Sequence, residues 1–352
     1  MLKYKVMEEA QARETKRRTL IRDAALTAGA FMAFLALYIL MQLFLPFAVM
    51  EEPVEFEVKP GMTFRGVTDT LVEKDLVRDI NLFIAMGRLS GLHRRVIPGV
   101  YTFSGQVSPW NVFRKVRSGK VKLWRVTLLE GGMLAGIEGR LAKDHLVPPD
   151  EFNRLKANPK FLKKLNIKAP TLEGYLFPDT YKFARGLSPE RVLMMMVKRT
   201  RQVLTPEIMS RARDLGLDEN GVLTLASIIE KEARVDDERA VISAVYHNRL
   251  RRGMRLQADP TVVYGIKPMS DGIRYKDIKK KHPYNTYMFK GLPPGPIASP
   301  GLKSIVAAVE PAEVPYIFFV SNYDGTHTFT ETLPEHRRAI KNFRLKRSRD
   351  RK

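Results

Sequence analysis

Residues 24–50 form a run of 27 without a single charge, mostly Leu, Phe, Ala and Met. About 20 apolar residues carry a helix across the hydrocarbon core of a bilayer, so this run predicts one transmembrane helix with some tilt. In the segment before it, Lys16, Arg17, Arg18 and Arg22 crowd the membrane end. Short basic flanks stay in the cytoplasm, whereas a large domain translocates regardless of its charge. The N-terminus is therefore expected inside and everything after the helix outside. A cleaved signal peptide has a shorter apolar core and a small-residue cleavage site. Phe44-Leu45-Pro46-Phe47-Ala48-Val49-Met50 offers no good site.

Charge narrows the partners. The formal net charge is +22, of which residues 1–50 hold only +3 and the rest +19. A surface that basic attracts polyanions such as anionic lipid or an acidic polymer. Without an RRM, zinc-finger or similar signature, nucleic acid is not an expected partner. The chain has no cysteine, which removes disulfides, thiolate nucleophiles and Cys zinc sites together.

Beyond the helix, Val54-Glu55-Phe56-Glu57-Val58 alternates as a strand, and Lys59-Pro60-Gly61 reads as a turn. Glu51-Glu52-Pro53 is expected to end the membrane helix. An amphipathic helix follows, and the pattern repeats about seventy residues on. Gly61-Met62, Val67, Leu71 and Leu76-Val77 recur as Gly132-Met133, Ile137, Leu141 and Leu146-Val147. Pro98-Gly99-Val100-Tyr101-Thr102-Phe103 is another short strand. From about Phe152 onward helices dominate, with starts at Pro189 behind Ser188, and at Pro206. Further helices are expected near 220–234, 237–251 and 302–309, then a strand at Tyr316-Ile317-Phe318-Phe319-Val320 and an Asp324-Gly325 turn. The final stretch is rich in Lys and Arg and reads as a solvated, frayed tail. The fold class is α+β: one N-terminal transmembrane helix, small α/β modules, then a mainly helical α+β domain. The segments read as 1–23 cytoplasmic, 24–50 transmembrane, 51–125 a small module, 126–345 the main domain and 346–352 a basic tail.

Several mechanisms can be excluded. No HExxH occurs and the six histidines are scattered, so no metal is expected. Phosphate-binding glycine loops, Ser-x-x-Lys and Gly-x-Ser-x-Gly are also missing, and no cofactor is expected. Carboxylate acid–base chemistry remains. Its best location is Leu225-Ala226-Ser227-Ile228-Ile229-Glu230-Lys231-Glu232, where glutamates end an apolar helix. Apolar surroundings disfavour the charged form and keep a carboxyl protonated, as a general acid must be. Glu230 and Glu232 lie roughly 200° apart around a helix, so only one can face a given cleft. Periodicity does not say which.

Leu225 to Glu232 as written above, Asn248-Arg249-Leu250 and Met254-Arg255-Leu256-Gln257-Ala258-Asp259-Pro260-Thr261 resemble the endolytic murein transglycosylase (MltG, or YceG-like) family. So do Leu172-Glu173-Gly174-Tyr175-Leu176-Phe177-Pro178-Asp179, Tyr284-Asn285-Thr286-Tyr287 and Gly291-Leu292-Pro293-Pro294-Gly295. The small modules resemble LysM-like glycan-binding units, and the main domain a YceG-like catalytic domain. The resemblance implies cleavage of the MurNAc-β-1,4-GlcNAc bond within peptidoglycan glycan strands, leaving 1,6-anhydroMurNAc ends. It implies a single-pass protein of the bacterial cytoplasmic membrane with its catalytic domain periplasmic or extracytoplasmic, near penicillin-binding synthases. It places the catalytic acid on the first glutamate, Glu230. Gln257, Asp259, Tyr284, Asn285 and Tyr287 are candidates for lining the glycan groove, with Glu173 as a supporting carboxylate. A hydrolysing muramidase and a non-catalytic glycan-binding scaffold are the alternatives.

Overall fold

The computed structural model describes residues 2–266, 272–322 and 324–349, the side chains of 2–12 and 343–349 excepted. The chain divides into two units, Met1–Lys122 and Leu123–Lys352.

The first unit opens with helix α1, Leu2–Phe44. Within it, Arg13–Phe44 is long and apolar enough to cross a membrane, and its most apolar stretch is not buried in protein at all. The expected span of 24–50 is too long at its end. Pro46 cannot continue the helical hydrogen-bond ladder, and Ala48–Val58 is strand β1 instead. β1 pairs antiparallel with β2, Gly99–Val107, with a register shift between Met50 and Val54. Pro53, which has no N–H to give a ladder, sits within that irregularity.

Between the strands lie α2, Phe64–Glu73, and α3, Ile80–Leu89; α4, Pro109–Ser118, follows. Each helix begins at a side-chain cap: Thr63 Oγ1 accepts the Gly66 N–H, Asp79 those of Asn81 and Leu82, and Ser108 Oγ that of Asn111. Phe56, Val67, Leu71, Tyr101 and Val112 are wholly buried in the core of this unit.

In the second unit β3, Leu123–Thr127, pairs antiparallel with β4, Thr180–Ala184. The expected boundary at 125/126 falls inside β3. Three helices lie between these strands: α5, Leu134–Lys143; α6, Pro149–Leu155; and α7, Pro159–Lys164. The sequence repeat is visible as local structure. α2 and α5 both end in a left-handed residue, Asp75 (φ 53°) and His145 (φ 55°). The next N–H then reaches back in the same way, Leu76 to Leu71 O at 2.9 Å and Leu146 to Leu141 O at 3.0 Å.

The remaining helices are α8 (Pro189–Val203), α9 (Pro206–Asp214), α10 (Glu219–Glu232), α11 (Arg239–Arg251), α12 (Asp259–Val263), α13 (Tyr275–Ile278) and α14 (Leu302–Val309). A hairpin of β5, Phe318–Ser321, and β6, His327–Thr330, precedes α15, Leu333–Arg349. The stretch expected to fray is thus helical to Arg349, and residues 350–352 lie outside the described residues. α10 is the central post. Residues 222–229 are all buried, as befits a helix apolar on every side. Each fully buried Leu, Ile or Val there stabilises by roughly 1.5–3 kcal/mol. α14, α11 and α12 pack around it.

Candidate active site

α10 starts at Asp218, whose carboxylate accepts the Gly221 N–H at 3.0 Å, and stops where Ala233 turns extended. Its last residues, Glu230, Lys231 and Glu232, step about 100° apiece around the axis. They therefore reach three different neighbourhoods.

Glu230 points to the start of α14. Its Oε2 accepts from Ser304 Oγ at 2.7 Å, from the Gly301 N–H at 3.1 Å and from Arg239 Nη1 at 3.4 Å. Ser304 is wholly buried and itself accepts from Arg239, while Arg239 Nε donates to Asp236. The Glu230 side chain is 8% exposed. It works as a strap binding α10 to α14 and α11, and one of its oxygens is surrounded by donors of the chain itself. Glu230, the expected acid, is thus held in a fixed position through Oε2, and it is part-exposed, as Glu232 is.

Lys231 Nζ donates to Gly131 O at 3.2 Å, and its charge acts on Glu173. Glu173 is buried to 3% exposure. Its oxygens accept the Leu134 N–H at 3.2 and 3.3 Å and Tyr264 Oη at 3.3 Å. Glu173 thus serves the N-terminus of α5, where Met133 offers no side-chain cap. Burial pushes its carboxyl up to about 7, against these hydrogen bonds and the pull of Lys231. Tyr284 is buried beside it, its ring 4.7 Å from that of Tyr264. Asn285 is wholly buried too, its Nδ2 donating to Ile278 O and Lys280 O and its Oδ1 accepting the Tyr287 N–H. Tyr284 and Asn285, expected along a groove, are interior groups that shape loops, and Glu173, expected as a supporting carboxylate, is buried.

Glu232 is the third. It is partly exposed, and Tyr246 Oη donates to its Oε1 at 3.2 Å. Burial pushes its carboxyl up to about 8, and the nearby Asp259 charge adds to that; the Tyr246 hydroxyl and the Asp259 backbone N–H oppose it. Asp259 Oδ1 accepts from Tyr287 Oη at 2.6 Å, and Glu232 in turn acts on the Tyr287 hydroxyl. Asp259 and Gln257 are exposed and Tyr287 is half-buried. The structure therefore gathers Asp259 and Tyr287 around Glu232, with Gln257 on the same turn as Asp259.

That turn is held unusually firmly. Gln257 sits at φ 50°, a left-handed conformation that costs a side-chain-bearing residue about 1–2 kcal/mol. Its N–H donates to Thr286 O, and the Ala258 N–H donates to Thr286 Oγ1 at 2.9 Å. Thr286 and Thr261 hydroxyls meet at 2.8 Å, both buried. Buried Arg249 fixes the preceding residue, Nη1 donating to Leu256 O while Nε donates to Ile317 O. No role was expected for Tyr246, Arg249, Thr261, Thr286 or Ser304. Arg249, Thr261 and Thr286 stood inside the family-like blocks, whereas nothing marked Ser304. Among the described residues no group of His, Cys, Asp and Glu is placed to hold a metal ion.

What this arrangement supplies is two part-exposed carboxyls, Glu230 and Glu232, at the end of one rigid helix, with a firmly held polar turn beside the second. Known proteins share the framework. An endolytic murein transglycosylase of Bacillus subtilis (strain 168) is 32% identical over 305 residues, 81% of this chain and 83% of that protein. A protein of the same name from Streptococcus pneumoniae serotype 2 is 25% identical over 349 residues, 90% of this chain but 63% of that longer protein. The crystal structure of a yceG-like protein from Listeria monocytogenes aligns with a TM-score of 0.56 at 30% identity, covering 82% of this chain and 99% of that one. The sequence pattern of the YceG-like family matches residues 56–342, from β1 through all three strand pairs and the end of α10 into α15. The chain belongs to the YceG-like family.

Proposed function

We propose that this protein is a membrane-anchored endolytic lytic transglycosylase, cutting the MurNAc-β-1,4-GlcNAc bond within peptidoglycan strands, with Glu230 as its acid. The observation that carries the reading is the place of Glu230, a part-exposed carboxyl on the last turn of a rigid buried helix, held by Ser304, the Gly301 N–H and Arg239. The names of the relatives supply the substrate class.

Glu230 donates its proton to the glycosidic oxygen as the C1–O4 bond breaks. The C6 hydroxyl of the same MurNAc closes onto C1, and its proton passes to the Glu230 carboxylate, which restores the acid. An attacking group already on the sugar has a high effective concentration and competes well with water. Asp259 is a second carboxylate near the end of the same helix, close enough for its charge to act on Glu232. Its presence also favours a second reading, because a hydrolase needs a second carboxylate to activate water or attack the sugar. In this reading α1 is the anchor and the N-terminus lies in the cytoplasm, on the strength of the basic residues before the apolar stretch. The site then works outside, on strands near the membrane where penicillin-binding synthases make them. The β1–α2–α3–β2 unit is a candidate glycan-binding module.

Mass spectrometry of products from purified sacculi tests this. Wild type is expected to release 1,6-anhydro-muropeptides, a well-folded Glu230→Gln none, and Glu232→Gln the same products as wild type. Products one water heavier select the hydrolase. Activity in Glu230→Gln alongside an inert but well-folded Glu232→Gln moves the acid to Glu232.

A further inference from the structure

Helix α3 has the sequence INLFIAMGRL, yet only Phe83 and Gly87 are buried. Leu89 is 91% exposed, Ala85 is exposed, and Leu82, Ile84 and Met86 are only half-covered. A ten-residue helix this apolar on uncovered sides is ill-suited to water and well suited to the boundary of a bilayer. Its surroundings agree. α3 and the C-terminal end of α1 wall a cleft of about 420 Å³, with Met41, Leu45, Leu82 and Met86 supplying apolar surface. Tyr38 and Phe47 also line it, and the Trp110 ring lies 5.4 Å from that of Phe44. Aromatic rings gather at just this level of membrane proteins, where one end is apolar and the other wet.

One basic side chain lines the cleft. Arg78 is exposed and lines it. It donates to Phe47 O at 3.2 Å and stacks 4.9 Å from the Phe47 ring centroid. A guanidinium has five donors in a fixed fork, so this anchoring leaves others to face a phosphate. Asp79 is the acidic neighbour, but its carboxylate already accepts the Asn81 and Leu82 N–H groups at the positive end of α3.

We infer that this cleft binds an anionic glycerophospholipid, its phosphate on Arg78 and one acyl chain along Met41, Leu45, Leu82 and Met86. The inference rests on reading α1 as a membrane anchor. It gives the first unit a fixed seat on the bilayer surface and a preference for a lipid.

The test uses the full chain in nanodiscs, with Trp124→Phe so that Trp110 is the single tryptophan. Quenching of Trp110 is compared for phosphatidylglycerol and phosphatidylcholine, each brominated on its acyl chains. Half-quenching is expected at an about fivefold lower mole fraction of the anionic lipid, the factor one basic residue at a membrane surface supplies. Arg78→Gln should abolish that preference while keeping the quenching, and Arg78→Lys should restore it. Equal quenching by both lipids, or a preference that survives Arg78→Gln, overturns the lipid site. No quenching by either lipid overturns the anchor reading, and the site with it.

Discussion

Replacing Glu232 by Gln should make the protein more stable, and by an amount that grows with pH. In the folded chain this carboxyl titrates at about 8, against an ordinary value of 4.5. Its folded pKa is raised, so the folded state keeps a proton that the unfolded chain has already released. The stability this group contributes is full below pH 4.5 and is lost as pH rises towards 8. Each unit of pH inside that window costs about 1.4 kcal/mol, which sums to under about 1 kcal/mol at pH 5 and about 3 kcal/mol at pH 7. Gln fills the same volume, keeps an acceptor for Tyr246 Oη, and has no proton to lose. In wild type and variant alike Glu173 titrates in the same range, so the difference between the two proteins isolates position 232. Thermal unfolding of the detergent-solubilised full chain, followed by near-UV circular dichroism from pH 5 to pH 8, measures it. At roughly 2–4 °C per kcal/mol for a unit of this size, Glu232→Gln should gain several degrees at pH 7 and little at pH 5. A variant no more stable than wild type at pH 7, or a gain independent of pH, refutes the reasoning. Glu232 would then be ionised in the folded protein at neutral pH.

Two further outcomes follow from the neighbouring geometry. Ser304→Ala leaves Glu230 and Arg239 facing one another without their bridging hydroxyl, and should cost about 1–3 kcal/mol in thermal unfolding while anhydro products stay the same; a stable but inactive variant contradicts the strap. Gln257→Gly relaxes the left-handed backbone, so stability should hold or rise by about 1 kcal/mol while turnover falls with loss of the side chain; a clear loss of stability shows instead that Gln257 holds the fold.

Caps and breakers made most helices legible. Ser188, Pro189 and Pro206 mark the starts of α8 and α9, and the repeated Leu-Val steps mark α2 and α5 as related units. The end of α1 is not legible because Ala48, Val49 and Met50 are as acceptable in a strand as in a membrane helix. What decides is the partner strand, which ends fifty-seven residues later at Val107. The same limit applies at the site. Helical period separates Glu230 from Glu232, but Gly301 and Ser304, which hold the first, stand about seventy positions away. Tyr284 and Asn285 illustrate it again. An aromatic ring and an amide suit a glycan groove, yet Tyr264 and the carbonyls of Ile278 and Lys280 claim them inside.

Only Leu45, Pro46 and Phe47 separate α1 from β1. Pro46 stiffens that joint, the Phe47 N–H donates to Val107 O, and Arg78 takes the Phe47 carbonyl. There is no slack for the first unit to swivel independently, so α1 is a stalk and not a leash. Any neighbour that gripped one face of α1 and rotated it would turn this unit through the same angle. The azimuth of the helix is thereby a mechanical coordinate through which an assembly could aim the protein.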